Sequence, residues 1–296
     1  MIYKDSPLKH IKQALEECNN DIDQSKLWLK KKGFKDAENK KSRETNTKLV
    51  GIKSNTERDK LAISLVSCET EFVANTDHFK DFSKSLLDTV LVQSKYINEG
   101  DYSAITLASE SYHQFKGASI TEGLKLVITK TQENCNIKCT SYLPISDNEC
   151  VGIYLHSSPC EHLGAKGSYI VLRSETKIEG ALKDKLNQLA NNLAMHIVAA
   201  NTKYLKKSDV PNEVLEREKA ILEEQSKNVA ENKDYSKILK NKIDKWFEEN
   251  VLLEQVYLIL DYDELNKPKK ISEVIKNFAK ENQINNLEVK EFKLFL

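Results

Sequence analysis

The residues best placed for chemistry lie in one octapeptide, Cys68-Glu69-Thr70-Glu71-Phe72-Val73-Ala74-Asn75, where an acid and a large aromatic stand side by side at the end of an apolar run. Such a ring either closes the core, as most large aromatics do, or stands out as a probe. Other candidates carry less. His10, His78, His113, His156, His162 and His196 are dispersed, and none has a Cys or Ser at a local spacing suited to nucleophilic work. Cys135, Cys139, Cys160 and His162 could supply four zinc ligands, but C-x3-C followed by C-x-H is not a usual ligand spacing. The 6 cysteines read instead as reduced thiols. Gly-rich phosphate cradles, H-E-x-x-H and G-x-S-x-G are all missing, so the chain is expected to hold no nucleotide, cofactor or metal.

The elements around the octapeptide explain where it must sit. Leu61, Ile63 and Leu65 alternate as a half-buried strand does, and Thr76 opens a helix whose apolar residues are Phe79, Phe82, Leu86, Leu87, Val90 and Leu91. Glu71 and Phe72 therefore fall on a short strand-to-helix turn. Upstream, Lys48 to Lys53 pairs with Leu61 to Ser67 around the polar Ser54 to Asp59 turn. Downstream, residues 95–118 lack a period and read as loop or short helix, before a helix from Ile120 to Glu133. Strands follow at Asn136 to Ile145, Cys150 to His156 and Ser168 to Arg173. A helix from Ala181 to Ala200, striped by Leu182, Leu186, Leu189, Leu193 and Ile197, can cover them. A last helix, Ser272 to Lys280, leads to a strand from Leu287 to Leu296. The core is thus α+β.

Two helical appendages complete the chain. Ser6 caps and Pro7 begins a first helix over residues 6–17. A second runs from Asp21 to a glycine cap at Gly33 with Phe34 as its hydrophobic contact, and a third from Lys35 to Arg43 closes a bundle that resembles a ubiquitin-associated domain. Polar residues 43–49 read as a linker. Pro211 to Lys227 and Tyr235 to Asn250 are charged helices with narrow stripes, joined through Asn228 to Asp234. They form either a short antiparallel coiled-coil arm or a solvated hairpin.

Composition narrows the partner. With 45 basic against 45 acidic residues, no global basic field advertises nucleic acid, and 7% aromatics give little for stacking bases. A protein partner fits better. No apolar run approaches the roughly 18 to 20 residues that span a bilayer, and Met1 to Leu8 shows neither a signal-peptide core nor an Arg-rich transit pattern.

The octapeptide resembles the T-D-F-V segment of the elongation factor Ts family, the guanine-nucleotide exchange factors of the translational GTPase elongation factor Tu. Ile11-Lys12-Gln13-Ala14-Leu15 stands where that family reads C-K-K-A-L, and Asn20-Asp21-Ile22 where it reads G-D-[IL]. Gln132-Glu133-Asn134 is similar to its G-E-N, and Tyr154 with His156 to its S-Y-x-H. Leu193 to Ala200 resembles its I-A-M-H-V-A-A helix, and Trp246 to Gln255 its K-[FW]-x-x-[ED]-x-x-L-L-x-Q stretch. Together they cover nearly the whole chain in the family's order.

The resemblance implies a ubiquitin-associated-like three-helix domain over residues 1–45 and an α+β core of two related subdomains with antiparallel sheets, 46–140 and 141–296. The second carries the coiled-coil arm at 211–250. It also implies exchange-factor activity on elongation factor Tu, GDP-bound or nucleotide-free, without enzymatic chemistry, nucleic acid or membrane. Phe72 would be the wedge, with Glu71 and Val73 beside it, His156 and His196 at the contact surface, and Leu8 and Lys12 in the N-terminal grip. Two features depart from the pattern: Glu71 stands where Asp is usual, and Lys4 to Leu8 replaces the glycine-built T-G-[AV]-G-[ML] opening. A bacterial cytoplasm is the expected location, or an organellar matrix if a transit segment precedes Met1. A rival reading, a ubiquitin-type adaptor using residues 6–43, leaves the rest of the chain as scaffold.

Overall fold

The computed structural model describes residues 8–108, 110–227, 235–259 and 268–296. In chain order the elements begin with α1 (Leu8–Glu17), α2 (Ile22–Glu38), β1 (Thr47–Ser54), β2 (Lys60–Cys68), α3 (Glu71–Ala74), α4 (Asp77–Gln93), α5 (Ile120–Thr131) and β3 (Cys135–Pro144). They continue with β4 (Glu149–His156), β5 (Leu163–Gly164), β6 (Lys166–Arg173), α6 (Gly180–Ala200), α7 (Asn212–Lys227), α8 (Tyr235–Asn250), α9 (Ile271–Glu281) and β7 (Glu288–Phe295). Contacts divide them into two units. The first takes the described residues up to Ile145 and returns for Leu155–Lys166; the second takes Ser146–Tyr154 and Gly167–Leu296. The α+β class holds, with antiparallel pairing of β1 with β2, β2 with β3 and β6 with β7.

In the first unit the sheet order is β3-β2-β1-β5. As an inner strand, β2 is buried on both faces rather than one: Ala62, Ser64 and Val66 are as enclosed as Leu61 and Ile63. The even-numbered set, Ala62, Val66 and Cys68, joins Phe79, Phe82, Leu86 and Leu87 of α4 in the core. Gly51 and Ser64 face each other across β1 and β2 and leave room for Leu87, whose Cδ1 would lie 2.8 Å from a Cβ on Gly51. Among the described residues of 95–118 the only helical pieces are single 3-10 turns at Glu99–Asp101 and His113–Phe115, yet Ile97, Leu107 and Phe115 are buried in the same core.

The N-terminal helices differ from the expectation. Asp21 caps α2 by accepting from the Asp23 and Gln24 amides, both at 2.9 Å, but the helix runs through Gly33 to Glu38. Gly33 is a crossing point, not a cap. A Cβ there would meet Thr129 Cγ2 of α5 at 2.5 Å, so the missing side chain lets the two helices approach. The stretch read as a third helix is the last turn of α2 followed by turns, leaving two helices among the described N-terminal residues. Ser6 and Pro7 lie outside the described residues.

In the second unit, order β4-β6-β7, α6 packs on the sheet. The contact is close because Gly152 of β4 carries no side chain: a Cβ would sit 2.1 Å from both the carbonyl carbon and oxygen of Ala190. Asn191 Oδ1 accepts from the Ile153 amide at 3.0 Å, and Cys150 donates its thiol to Asn187 Oδ1 at 2.7 Å. The start of α7 lies against the end of α8 around Val210, Phe247 and Val251, with Val214, Leu215, Ile243 and Trp246 beside them. Their expected connection, Asn228 to Asp234, is outside the described residues. Among the described residues no helix is long and apolar enough to cross a membrane.

Candidate functional site

Where β2 ends, the chain makes the single helical turn α3 and then enters α4. An isolated turn of helix has no stability of its own, since nucleation fixes several dihedrals for little hydrogen bonding. This one is tied by the two residues that follow it. The Asn75 side-chain amide donates to Glu71 O at 2.9 Å, and Thr76 Oγ1 donates to Val73 O at 2.7 Å while accepting from the Phe79 amide as the cap of α4. Val73 and Ala74 turn inward, at 6% and 3% exposure, whereas Phe72 is 87% exposed. Successive helical residues point about 100° apart, so anchoring two of them presents the third to solvent.

Phe72 therefore stands out as a probe. A buried Phe gains about 1.5 to 3 kcal/mol over an exposed one, a gain Phe72 does not make within this fold. Val73, expected at the contact, is instead an anchor of the core. Glu71 is exposed and lines a cleft of about 610 Å³ whose walls include Lys48, Leu49, Asn75, Ser157 and Pro159. His156, exposed at the end of β4, sits beside this cleft: its carbonyl accepts from the amide of Ala165, another wall residue, at 3.0 Å. Lys48 and Ser157 were not singled out as contacts by sequence, and Asn75 only as the last residue of the octapeptide. Their only signal there is a place at or next to an element end.

His196 is a correction. It is fully buried in the second unit, its Nε2–H donating to Gln255 Oε1 at 3.0 Å and its Nδ1 accepting from the Leu258 amide at 3.3 Å. Burial holds its pKa below the ordinary imidazole value, and a fully enclosed ring cannot touch a partner. Leu8, 85% exposed, and Lys12, paired with Glu16 at 3.8 Å, are on the surface of α1 and do not line the Glu71 cleft.

Among the described residues no three His, Cys, Asp or Glu side chains converge as ligands. Burial pushes the Cys68 thiol up to about 12 and raises that of Cys135 as well, so both are neutral thiols of the core.

Residues 69–295 match the family described as Elongation factor TS. Elongation factor Ts of Aquifex aeolicus is 30% identical over 282 residues, covering 95% of this chain and 89% of that protein. The protein of the same name from Chlamydia felis is 32% identical over 290 residues, with 97% and 92% covered. That of Anaplasma marginale is 28% identical over 249 residues, with 84% and 81% covered. A match running from the exposed turn through the last strand, with relatives that align over most of both chains, means that this chain belongs to the elongation factor Ts family.

Proposed function

We propose that Phe72, steadied by its anchored turn, is the side chain that this exchange factor presses into elongation factor Tu to loosen bound GDP. Family membership makes the chain a guanine-nucleotide exchange factor acting on a partner GTPase, not an enzyme with chemistry of its own. A P-loop GTPase holds GDP through backbone amides and a Lys on the phosphates and through a magnesium ion, so small displacements of those groups lose much of the affinity. A wedge that shifts them needs a rigid base and an apolar tip. The observation that carries this reading is the 87% exposure of Phe72 beside two buried neighbours on one turn.

Glu71 and His156 border the same cleft and would meet the GTPase next to the wedge. Leu8 and Lys12 on the N-terminal helices, which the family likeness relates to a ubiquitin-associated fold, would grip a neighbouring surface. The α7 and α8 pair would serve as the arm. The bacterial relatives support a cytoplasmic location. The test is release of labelled GDP from elongation factor Tu with and without the chain: acceleration supports the reading, while an unchanged rate with no complex formed overturns it.

A further inference from the structure

The last paired residues of β2 and β3 are Cys68 and Cys135. Beyond them the strands part, β2 into α3 and β3 back to α5, and the backbone ladder stops. Side chains take over. Glu133 Oε2 accepts from the Thr70 amide at 3.0 Å and its Oε1 from the Thr70 hydroxyl at 2.7 Å. In return, Glu69 Oε1 accepts from the Asn134 amide at 2.6 Å. Each segment thus gives one carboxylate to the other. Fully buried Asn134 also donates its side-chain amide to Arg43 O at 2.7 Å, tying in the chain that leads to β1.

Thr70 is the cap residue of α3, but it makes no capping bond to that helix because its hydroxyl is turned to Glu133. The direction of α3, and with it the aim of Phe72 two residues later, is therefore set from outside the helix. We infer that Glu133 is a positioning residue for Phe72, acting through paired hydrogen bonds to Thr70. This rests on the exchange reading above and adds that the wedge is aimed by the residues at the end of α5. Hydrogen bonds to a charged acceptor are about twice as strong as neutral ones, so the carboxylate matters more than its shape.

The test uses the full chain and elongation factor Tu loaded with fluorescent GDP, reading the maximal release rate and the half-saturating concentration separately. Glu133→Gln should lower the maximal rate about tenfold, the scale of one charge-assisted hydrogen bond, and leave half-saturation nearly unchanged. Thr70→Val should lower the maximal rate too, and Thr70→Ser, which keeps the hydroxyl, should restore it. Adding Glu133→Gln to Phe72→Ala should cause no further loss, because both act through one ring. Equal rates for Thr70→Ser and Thr70→Val, or full additivity with Phe72→Ala, would overturn the inference. Hydrogen exchange in the free chain is independent of function. The amides of Ala74 and Asn75 should exchange faster in Glu133→Gln while those in the middle of α4 do not, and parallel acceleration of both would mean general destabilisation instead. A parent chain that fails to release GDP defeats the exchange reading, and the exchange pattern still decides whether Glu133 holds the turn.

Discussion

His196 and Gln255, 59 residues apart along the chain, share a 3.0 Å hydrogen bond inside the second unit. Gln255 Oε1 also accepts from Thr202 Oγ1 at 2.7 Å, and its side-chain amide donates to Glu249 O at 2.9 Å. The two stretches that resemble family motifs in this half, Leu193 to Ala200 and Trp246 to Gln255, are therefore joined at one buried amide. With Leu258 N donating to Nδ1, the ring is held as the neutral tautomer protonated on Nε2.

This arrangement predicts an acid-sensitive second unit. Burial lowers the pKa of His196, and burial is also the main reason that of His162 is lowered in the first unit. An unfolded His takes up its proton near pH 6.5, whereas the folded rings resist it. Below that pH the unfolded chain binds more protons, so stability falls as pH drops from about 6.5 toward the depressed folded values. Glutamates with lowered pKa, Glu38, Glu122, Glu149 and Glu254, add their loss only below about 4.5. Urea midpoints should be lower at pH 5.5 than at pH 7.5, and His196→Gln should shrink that difference. A variant with the parent's full pH dependence would assign it elsewhere.

Gly33 and Gly152, both at close helix contacts, should differ in tolerance. A Cβ at Gly152 meets helix backbone at 2.1 Å, which cannot move without moving α6. A Cβ at Gly33 meets a methyl of Thr129 at 2.5 Å, and that side chain can turn by giving up its 2.7 Å bond to Lys125 O. Gly33→Ala should cost about 1 to 3 kcal/mol, and Gly152→Ala more. Chemical denaturation of the two variants checks the order.

Removing residues 1–45 should destabilise the first unit as well as weaken partner binding. Ala37 is part of that unit's core and Phe34 packs on it, while Glu38 pairs with Lys125 at 2.6 Å and Lys30 with Glu122 at 3.3 Å. Loss of the Phe34 and Ala37 contacts and the exposure of α5 should together exceed about 3 kcal/mol. Thermal melting of the truncated chain, expected to show a lowered first transition, is the measurement. An unshifted melt would show that α2 contributes nothing to the core.

Much of the fold can be read from periodicity, and the misreadings have physical causes. The helices and strands around Phe72 carry clean apolar spacing, so their bounds agree within a residue or two. Gly33 followed by Phe34 looks the same whether the glycine ends a helix or lets another helix approach, because both uses exploit the missing Cβ. His196 lies on an apolar helix face, where sequence cannot tell a satisfied core imidazole from a contact residue. The Gln255 that satisfies it is far along the chain. Residues 95–118 hide four core side chains, Ile97, Leu107, Phe115 and Ala118, because irregular backbone leaves no period. Glu133 was visible only as part of a motif, since its role depends on where two strands part.

The remaining prediction contrasts Phe72 with Phe82. Phe82 is fully buried in α4, its ring centroid 5.8 Å from that of Phe115 in an edge-to-face arrangement, so Phe82→Ala should destabilise the chain by about 3 to 5 kcal/mol. Phe72, 87% exposed, should cost within about 0.5 kcal/mol when truncated. Its loss should show in function instead, as a sharp drop in catalysed GDP release. Linkage supplies a second reading: a factor that weakens GDP binding is itself weakened by GDP to the same extent. Affinities for elongation factor Tu measured with and without GDP should therefore lie far apart for the parent chain and converge for Phe72→Ala. If the variant keeps the parent's gap, the displacement of nucleotide is carried by other contacts and the exposed ring is only an anchor.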